Sequence, residues 1–402
     1  MFKGSRRCQA ASWCLYDFAN SSYSAVILAV LFPVYFSKAI AQSPTQADLW
    51  WGWAISISMA LVALSSPLMG GISDYSGRRK RLLFIYTLTA CVSTAALFIP
   101  QKGDLLLATM FVVIANTTTE GAFVFYNAYL NDIADKGSRG RLSGLGFGAG
   151  YLGSIVSLFV ALWMFNRGLS YLIWPFTGAF FLFFSVPAFL YLPADTKKSS
   201  IINGVKKGIE QTIQTLKEVT KNKRVLLFLA SYFLYKDALN TIIIFSSLFA
   251  STTLGFKEKE LLFLYLFIQA MAALGAFVFS GPTDRWGPWK VVMLSISVWF
   301  ALSVWTFLIK DKTSFWVVAS AGGVFLGTLQ AASRALFTRF IPPGKEAEYF
   351  GVYALSGKTS SIIGPAAFGL ISSITGNQRM GVLLVAGLFL SGGLLMLKIR
   401  EN

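Results

Sequence analysis

Histidine does not occur in this chain of 402 residues, and cysteine occurs only three times, as Cys8, Cys14 and Cys91. The first absence removes histidine-ligated metal centres and an imidazole proton relay. The second removes a disulfide framework or a cysteine metal site, because the three show no paired spacing and two lie in apolar surroundings. Charge is also scarce, at 13% of residues against 55% hydrophobic, with 36 phenylalanines. A soluble core of this size has no use for so much apolar surface, so the composition is that of a membrane protein. Acid is scarcer than base, 18 residues against 35, for a net charge of +17. Such an excess suits either nucleic acid or the cytoplasmic loops of a membrane protein, and the positions of the bases decide between the two.

Lys3, Arg6 and Arg7 precede the first apolar run, which contains Asp17 and Asn20 and lacks a small-residue cleavage pattern. It is expected to be a retained helix and not a signal peptide. A hydrocarbon core of about 30 Å needs roughly 20 apolar residues per helix. Spans are expected at 13–37, 49–72, 82–100, 105–131, 142–165, 171–192, 225–251, 261–282, 289–309, 314–339, 348–374 and 379–397. Of the 35 Lys and Arg, the loops that follow odd-numbered spans hold only Lys38, Lys102, Arg167, Lys257, Lys259, Lys310, Lys312 and Arg379. Nearly all the others lie in the loops that follow even-numbered spans and in the termini, so both termini are expected in the cytoplasm. Bases scattered over short membrane-flanking loops form no nucleic-acid groove. The one long polar connection, 193–224, sets Ile209, Ile213, Leu216 and Val219 at helical spacing among lysines. It reads either as an amphipathic helix on the inner leaflet or as a tether.

The chain is internally duplicated. Gly71, Asp74, Gly77 and Lys80 in one loop recur as Gly281, Asp284, Gly287 and Lys290 in another. At a second fixed offset Gly144 matches Gly351 and Gly150 matches Gly357, which pairs Asn127 with Arg334 and Tyr151 with Lys358. The expected architecture is an all-α membrane protein of twelve transmembrane helices in two six-helix repeats. These are an N-terminal bundle 1–192 and a C-terminal bundle 225–402, joined by the central loop 193–224.

The run from Gly70 or Gly71 through Asp74, Gly77 and Arg78 to Arg79 resembles the cytoplasmic signature of the major facilitator superfamily, with an echo at 281–290. Trp13-Cys14-Leu15-Tyr16-Asp17-Phe18-Ala19-Asn20-Ser21, with Phe32-Pro33-Val34-Tyr35-Phe36, is similar to the opening of its vacuole-effluxer branch. Gln330-Ala331-Ala332-Ser333-Arg334, the run Glu348 to Lys358 and Gly364-Pro365 resemble the same branch, which includes vacuolar amino-acid exporters of fungi. The resemblance implies that Asp74 faces the start of the eleventh helix, that Arg78 reaches Asp132, and that Asp284 with Gly287 and Lys290 repeats this latch near Arg141. It also implies that the first, fourth, seventh and tenth helices line the transport path, which places Asp17, Glu120, Asp237 and Arg334 along it. The glycine-rich fifth span lacks the Gly-Pro step of the superfamily's antiporter signature, and the arginine common early in the fourth helix of proton-coupled members is missing, with Glu120-Gly121 near that place.

Charge inside a bilayer is costly, about 3 kcal/mol for a central Asp or Lys, and usually functional. The charged residues left within the spans are Asp17, Glu120, Lys236, Asp237, Arg334 and Lys358. One reading makes them a substrate and coupling-ion site, with Arg334 and Lys358 on an anionic group and Asp17 and Glu120 on an amine or a proton. The other has them lock helices by mutual pairing, Asp237 with Lys358 for example. Asn20, Asn127, Asn240 and Gln330 hydrogen-bond either the solute or neighbouring helices. An acidic first half and a basic second half suit a zwitterion, and a free amino acid is the simplest one. The expected function is therefore secondary transport of an amino acid or similar solute by rocker-switch alternating access, with export as the direction the resemblance implies. A proton-linked carrier of an organic anion or amphiphile, and a sensor on the same fold, are the alternatives. No nucleophile, metal-ligand set, cofactor motif or phosphate-cradling loop points to an enzyme. The expected setting is a monomer in a bacterial inner membrane whose partners are the lipid bilayer and a small solute.

Overall fold

The computed structural model describes residues 5–196 and 201–399, and among them every regular element is helical. Lys3, Lys197 and Lys198 lie outside the described residues. The long elements are α1 (Arg6–Ser22), α2 (Pro44–Ser76), α3 (Arg79–Ala95), α4 (Leu105–Ile133), α5 (Arg139–Asn166), α6 (Ile173–Tyr191) and α7 (Ile201–Lys221). They continue as α8 (Lys223–Thr252), α9 (Glu258–Val278), α10 (Ser280–Arg285), α11 (Pro288–Leu308), α12 (Lys312–Phe337), α13 (Glu346–Thr375) and α14 (Gln378–Leu397). A helix satisfies its own backbone, which hydrocarbon cannot do, and long apolar runs therefore fold this way. Among the described residues nine helices are long and apolar enough to cross a bilayer. A bent pair at the start, the shorter apolar stretch of α9 and the 30-residue α13 fill the remaining expected spans.

Two spans are broken where the sequence reads them as continuous. After α1 the chain runs through π-helical turns at Tyr23–Val30 and then bends by 41° into Phe32–Ile40. Pro33 lacks the N–H that would continue the ladder, and Phe32 packs edge-on against Trp174 with ring centroids 5.0 Å apart. The second break separates α9 from α10. Pro282 has no N–H for the carbonyl of Val278 four residues back, and the ladder is interrupted at Phe279.

The chain divides into two compact units. The first comprises Met1–Ala134, Ala149–Ile213 and Pro342–Leu355, and the second Asp135–Gly148, Gln214–Ile341 and Ser356–Asn402. In the first, α3 packs on α4 and α6, α1 on α6 and α2 on α4, around a core that includes Tyr23, Phe32, Phe36, Val112 and Trp174. In the second, α9 packs on α12, α11 on α12 and α14, and α8 on α14. The start of α13 thus belongs with the first unit, and the start of α5 with the second.

Helix α7 confirms the helical spacing in the central connection but changes which side is covered. Ile209 and Ile213 are exposed, while Gly208 and Thr212 face α2. Thr212 Oγ1 donates to the Pro67 carbonyl at 3.2 Å, and a Cβ on Gly71 would lie 2.6 Å from Thr212 Oγ1 and 2.8 Å from the Gly208 carbonyl. Two glycines at the crossing let the backbones approach, so α7 is docked on the protein by its small residues. The isoleucine row stays outward.

Candidate functional site

In the first unit, α2 ends at Gly77 with φ of 62°, a left-handed position that glycine takes without strain. One turn earlier sits Asp74, 6% exposed. Its carboxylate accepts the backbone N–H groups of Ala347 at 2.7 Å and Glu348 at 3.0 Å. Both belong to the first turn of α13, where four N–H groups lack helical partners and the dipole favours an anion. A Cβ on Gly70 would collide with the Ala347 carbonyl, and one on Gly351 would lie 2.5 Å from the Ser66 carbonyl. Glycine at both positions is what admits the close approach.

Arg79 ties this corner together. It donates to Asp74 at 2.9 Å, to Asp132 at 2.5 Å and to Glu346 at 3.4 Å, and lies 5.3 Å over the Tyr129 ring. A planar guanidinium with five donors can join three carboxylates, which an ammonium does poorly. Arg79, the neighbour of Arg78 in the motif, is a side chain that reaches Asp132 here. The connecting helix joins the cluster as well, since Gln211 Nε2 donates to the Glu348 carboxylate. Lys80 Nζ donates to the Leu192 carbonyl at 2.8 Å, and Asp195 accepts the Lys80 and Arg81 N–H groups at the start of α3.

The second unit repeats the device. Asp284 accepts the N–H groups of Gly140 at 2.7 Å and Arg141 at 2.8 Å in the first turn of α5, and Arg139 donates to the Thr338 carbonyl at 3.2 Å. Burial pushes the Asp284 carboxyl above the usual carboxylate range, against the pull of its two backbone donors. Gly287, with φ of 91°, turns the chain into Pro288 at the start of α11. Lys290 is exposed on that helix, so the repeat of spacing extends to the aspartate and glycine but not to a shared contact of the base.

The charged and amide residues of the spans divide by unit. Asp17, Asn20, Glu120 and Asn127 belong to the first, where all but the half-buried Glu120 are buried. Around them Trp13 Nε1 donates to the Tyr126 carbonyl at 3.0 Å, the Tyr126 hydroxyl donates to the Trp13 carbonyl at 3.1 Å, and the two rings stack at 4.5 Å. This reciprocal pair fixes α1 against α4. Asn20 Nδ2 is buried with no hydrogen-bond partner.

Lys236, Asp237, Asn240, Gln330, Arg334 and Lys358 belong to the second unit. Lys236 Nζ donates to Gln330 Oε1 at 3.4 Å. Arg334, 2% exposed, donates from Nε to Ser143 Oγ and from Nη2 to the Ser143 carbonyl, both at 2.9 Å, with its guanidinium 4.2 Å from the Phe147 ring centroid. Asp237 is fully buried, and its Oδ1 accepts the Gly364 N–H at 2.9 Å while Oδ2 has no partner. The pairing of Asp237 with Lys358 is therefore corrected: Asp237 faces Gly364, six residues and roughly 9 Å further along α13. Gly364 precedes Pro365, and a Cβ on Gly364 would lie 2.7 Å from Asp237 Oδ1.

Sequence reasoning missed Glu346, Gln211, Asp195, Ser143 and Phe147. Each works through a partner far along the chain, and only the acidic start of α13 at Glu346 and Glu348 gave a local signal.

Comparison with known proteins agrees with this architecture. The family model described as vacuole effluxer Atg22 like matches residues 53–139 and 132–402. The uncharacterized MFS-type transporter YxiO of Bacillus subtilis is 28% identical over 98% of this chain and 95% of its own. Autophagy-related protein 22 of Kluyveromyces lactis is 31% identical over 52% of this chain and 47% of its own. Among solved structures, the human organic anion transporter MFSD10 superposes with a TM-score of 0.76 at 14% identity, covering 98% of this chain and all of that one. The proton:xylose symporter XylE does so with a TM-score of 0.75 at 13% identity, covering 98% and 96%. The chain is a multi-pass integral membrane protein that belongs to the vacuole effluxer Atg22-like family of major facilitator superfamily transporters.

Proposed function

We propose that this secondary transporter moves an amino acid or a similar small zwitterion. The observation that carries the reading is the partition of charge: the first unit supplies Asp17 and Glu120 with two asparagines, and the second supplies Arg334 and Lys358. Carboxylates and amides suit an ammonium group. A guanidinium seated on an aromatic ring suits a carboxylate, and Arg334 is already oriented by Ser143 and Phe147.

The moving bodies are the two sequence repeats, 1–192 and 225–402, rocking in alternating access. The Asp74–Arg79 and Asp284 clusters are the latches that make and break at one membrane face. Asp17 and Glu120 hold the amine or a proton. The protein works as a monomer in a bacterial inner membrane with both termini in the cytoplasm, exports its solute and catalyses no bond chemistry.

The test is thermal stability of the purified protein against the twenty amino acids and matched analogues lacking either the amine or the carboxylate. A ligand at a hundredfold its Kd stabilises by about 2.7 kcal/mol, a shift of several degrees. One or more amino acids are expected to raise the wild-type Tm, and Glu120→Gln and Arg334→Gln are expected to lose that response. If acids without an amine stabilise the wild type and Glu120→Gln equally, the solute is an organic anion and the zwitterion reading falls.

A further inference from the structure

The second unit encloses an apolar cavity of about 120 Å³ among α8, α9, α11, α12, α13 and α14. It runs along α12 from Phe315 to Leu326, roughly 16 Å of helix rise. Trp299 and Gly322 line one end and Phe249 the other, and the lining includes Ile243, 52% exposed. Three of its four hydroxyls are turned back onto their own helices: Ser303 donates to the Trp299 carbonyl at 2.8 Å, Thr306 to that of Leu302 at 2.7 Å and Thr241 to that of Asp237 at 2.8 Å. With Ser246 and the indole of Trp299 as the other polar groups, the rest of the lining is hydrocarbon, which favours an apolar occupant.

Its Phe315 end carries charge. Phe249 and Phe315 lie 6.0 Å apart, with Phe256 5.7 Å beyond. Lys312 sits 5.0 Å over Phe256, paired with Glu260 at 2.7 Å. Arg379 sits 5.8 Å over Phe249 and donates from Nη1 to the Phe307 carbonyl at 2.7 Å, and among the described residues it has no carboxylate partner. A half-exposed guanidinium fixed over Phe249 at one end of an apolar cavity offers two complementary surfaces to one molecule.

We propose that this cavity is a binding site for an anionic amphiphile: one alkyl chain fills it, and the anionic head pairs with Arg379. Chain burial gains about 0.8 kcal/mol per CH₂, and the guanidinium selects carboxylate or phosphate over a neutral head. The site lies within one unit and is separate from the charged residues proposed for transport, so either reading can fail without the other.

The test uses full-length protein in phosphatidylcholine nanodiscs, read by thermal stability with decanoate, decanol or doped phosphatidylglycerol. Decanoate is expected to stabilise the wild type more than decanol. Arg379→Gln is expected to abolish that difference while keeping the response to the chain, and Ala319→Phe, which fills the cavity, is expected to abolish both. A response to phosphatidylglycerol that follows the same two variants identifies a bilayer lipid as the source, and a response to decanoate alone identifies a free fatty acid. Equal shifts in the wild type and both variants would mean unspecific partitioning and overturn the proposal. Should Ala319→Phe fold poorly, Gly322→Val, beside Trp299, fills the same space and carries the same expectation.

Discussion

Arg79→Gln is expected to unfasten the Asp74 cluster and to stop transport. One guanidinium, 14% exposed, holds Asp74, Asp132 and Glu346, and the Asp74 side chain is only 1% exposed. Removing one partner of a buried pair costs about 3–5 kcal/mol, because the remaining charge stays buried without compensation. At about 1.4 kcal/mol per decade, that is a hundredfold or greater shift toward the unfastened state. Arg79→Lys is expected to rescue little, since an ammonium cannot span three carboxylates. Opening is read independently of the solute through Ser73, in the same turn as Asp74, 1% exposed and with an Oγ that bonds nothing. In a cysteine-free background Ser73→Cys should react slowly with a maleimide and at least tenfold faster once Arg79→Gln is added. An unchanged labelling rate together with normal solute flux would remove Arg79 from the latch.

Gly275→Ala is expected to be among the most damaging single-methyl changes in the chain, and Gly281→Ala, six residues later, nearly silent. Both positions are helical, and both substitutions gain about 1 kcal/mol of helix propensity. Their surroundings differ. A Cβ at Gly275 falls onto the carbonyl of Val324 on α12, which cannot rotate away, whereas nothing lies within 4 Å of one at Gly281. Forcing α9 and α12 apart costs about 1–3 kcal/mol in overpacking, and more where the collision is with backbone. Bilayer proteins rely on close packing of small residues because lipid supplies no hydrophobic drive between helices. The measurement is Tm of each variant in nanodiscs with folded yield after extraction: Gly275→Ala should fall by several degrees, and Gly281→Ala should stay level or rise. Equal behaviour would show that the α9–α12 crossing gives way without cost.

Both expectations rest on crossings that spacing alone does not resolve. Successive residues of a helix point about 100° apart, so moving a role by one residue carries it to a different face. The motif set Asp74 against a helix start, but that Arg79 gathers three carboxylates around it is visible only in the fold. The same rotation explains α7, whose isoleucine row was evident from the sequence while its docked face turned out to be Gly208 and Thr212.

The sequence by itself determined the all-helical membrane class, the internal duplication and the family. It also showed that the interior bases Lys236, Arg334 and Lys358 all fall in the second half, with Asp237 among them. These follow from hydropathy, spacing and residue type, which are local properties and survive without coordinates. Only the tertiary structure decided that Arg79 gathers three carboxylates, that Gln211 ties the connecting helix to Glu348, that Asp237 faces Gly364 and not Lys358, and that an apolar cavity ends beneath Arg379. Each joins residues far apart in the chain, and their meeting is set by helix phase and by where glycine lets two backbones touch.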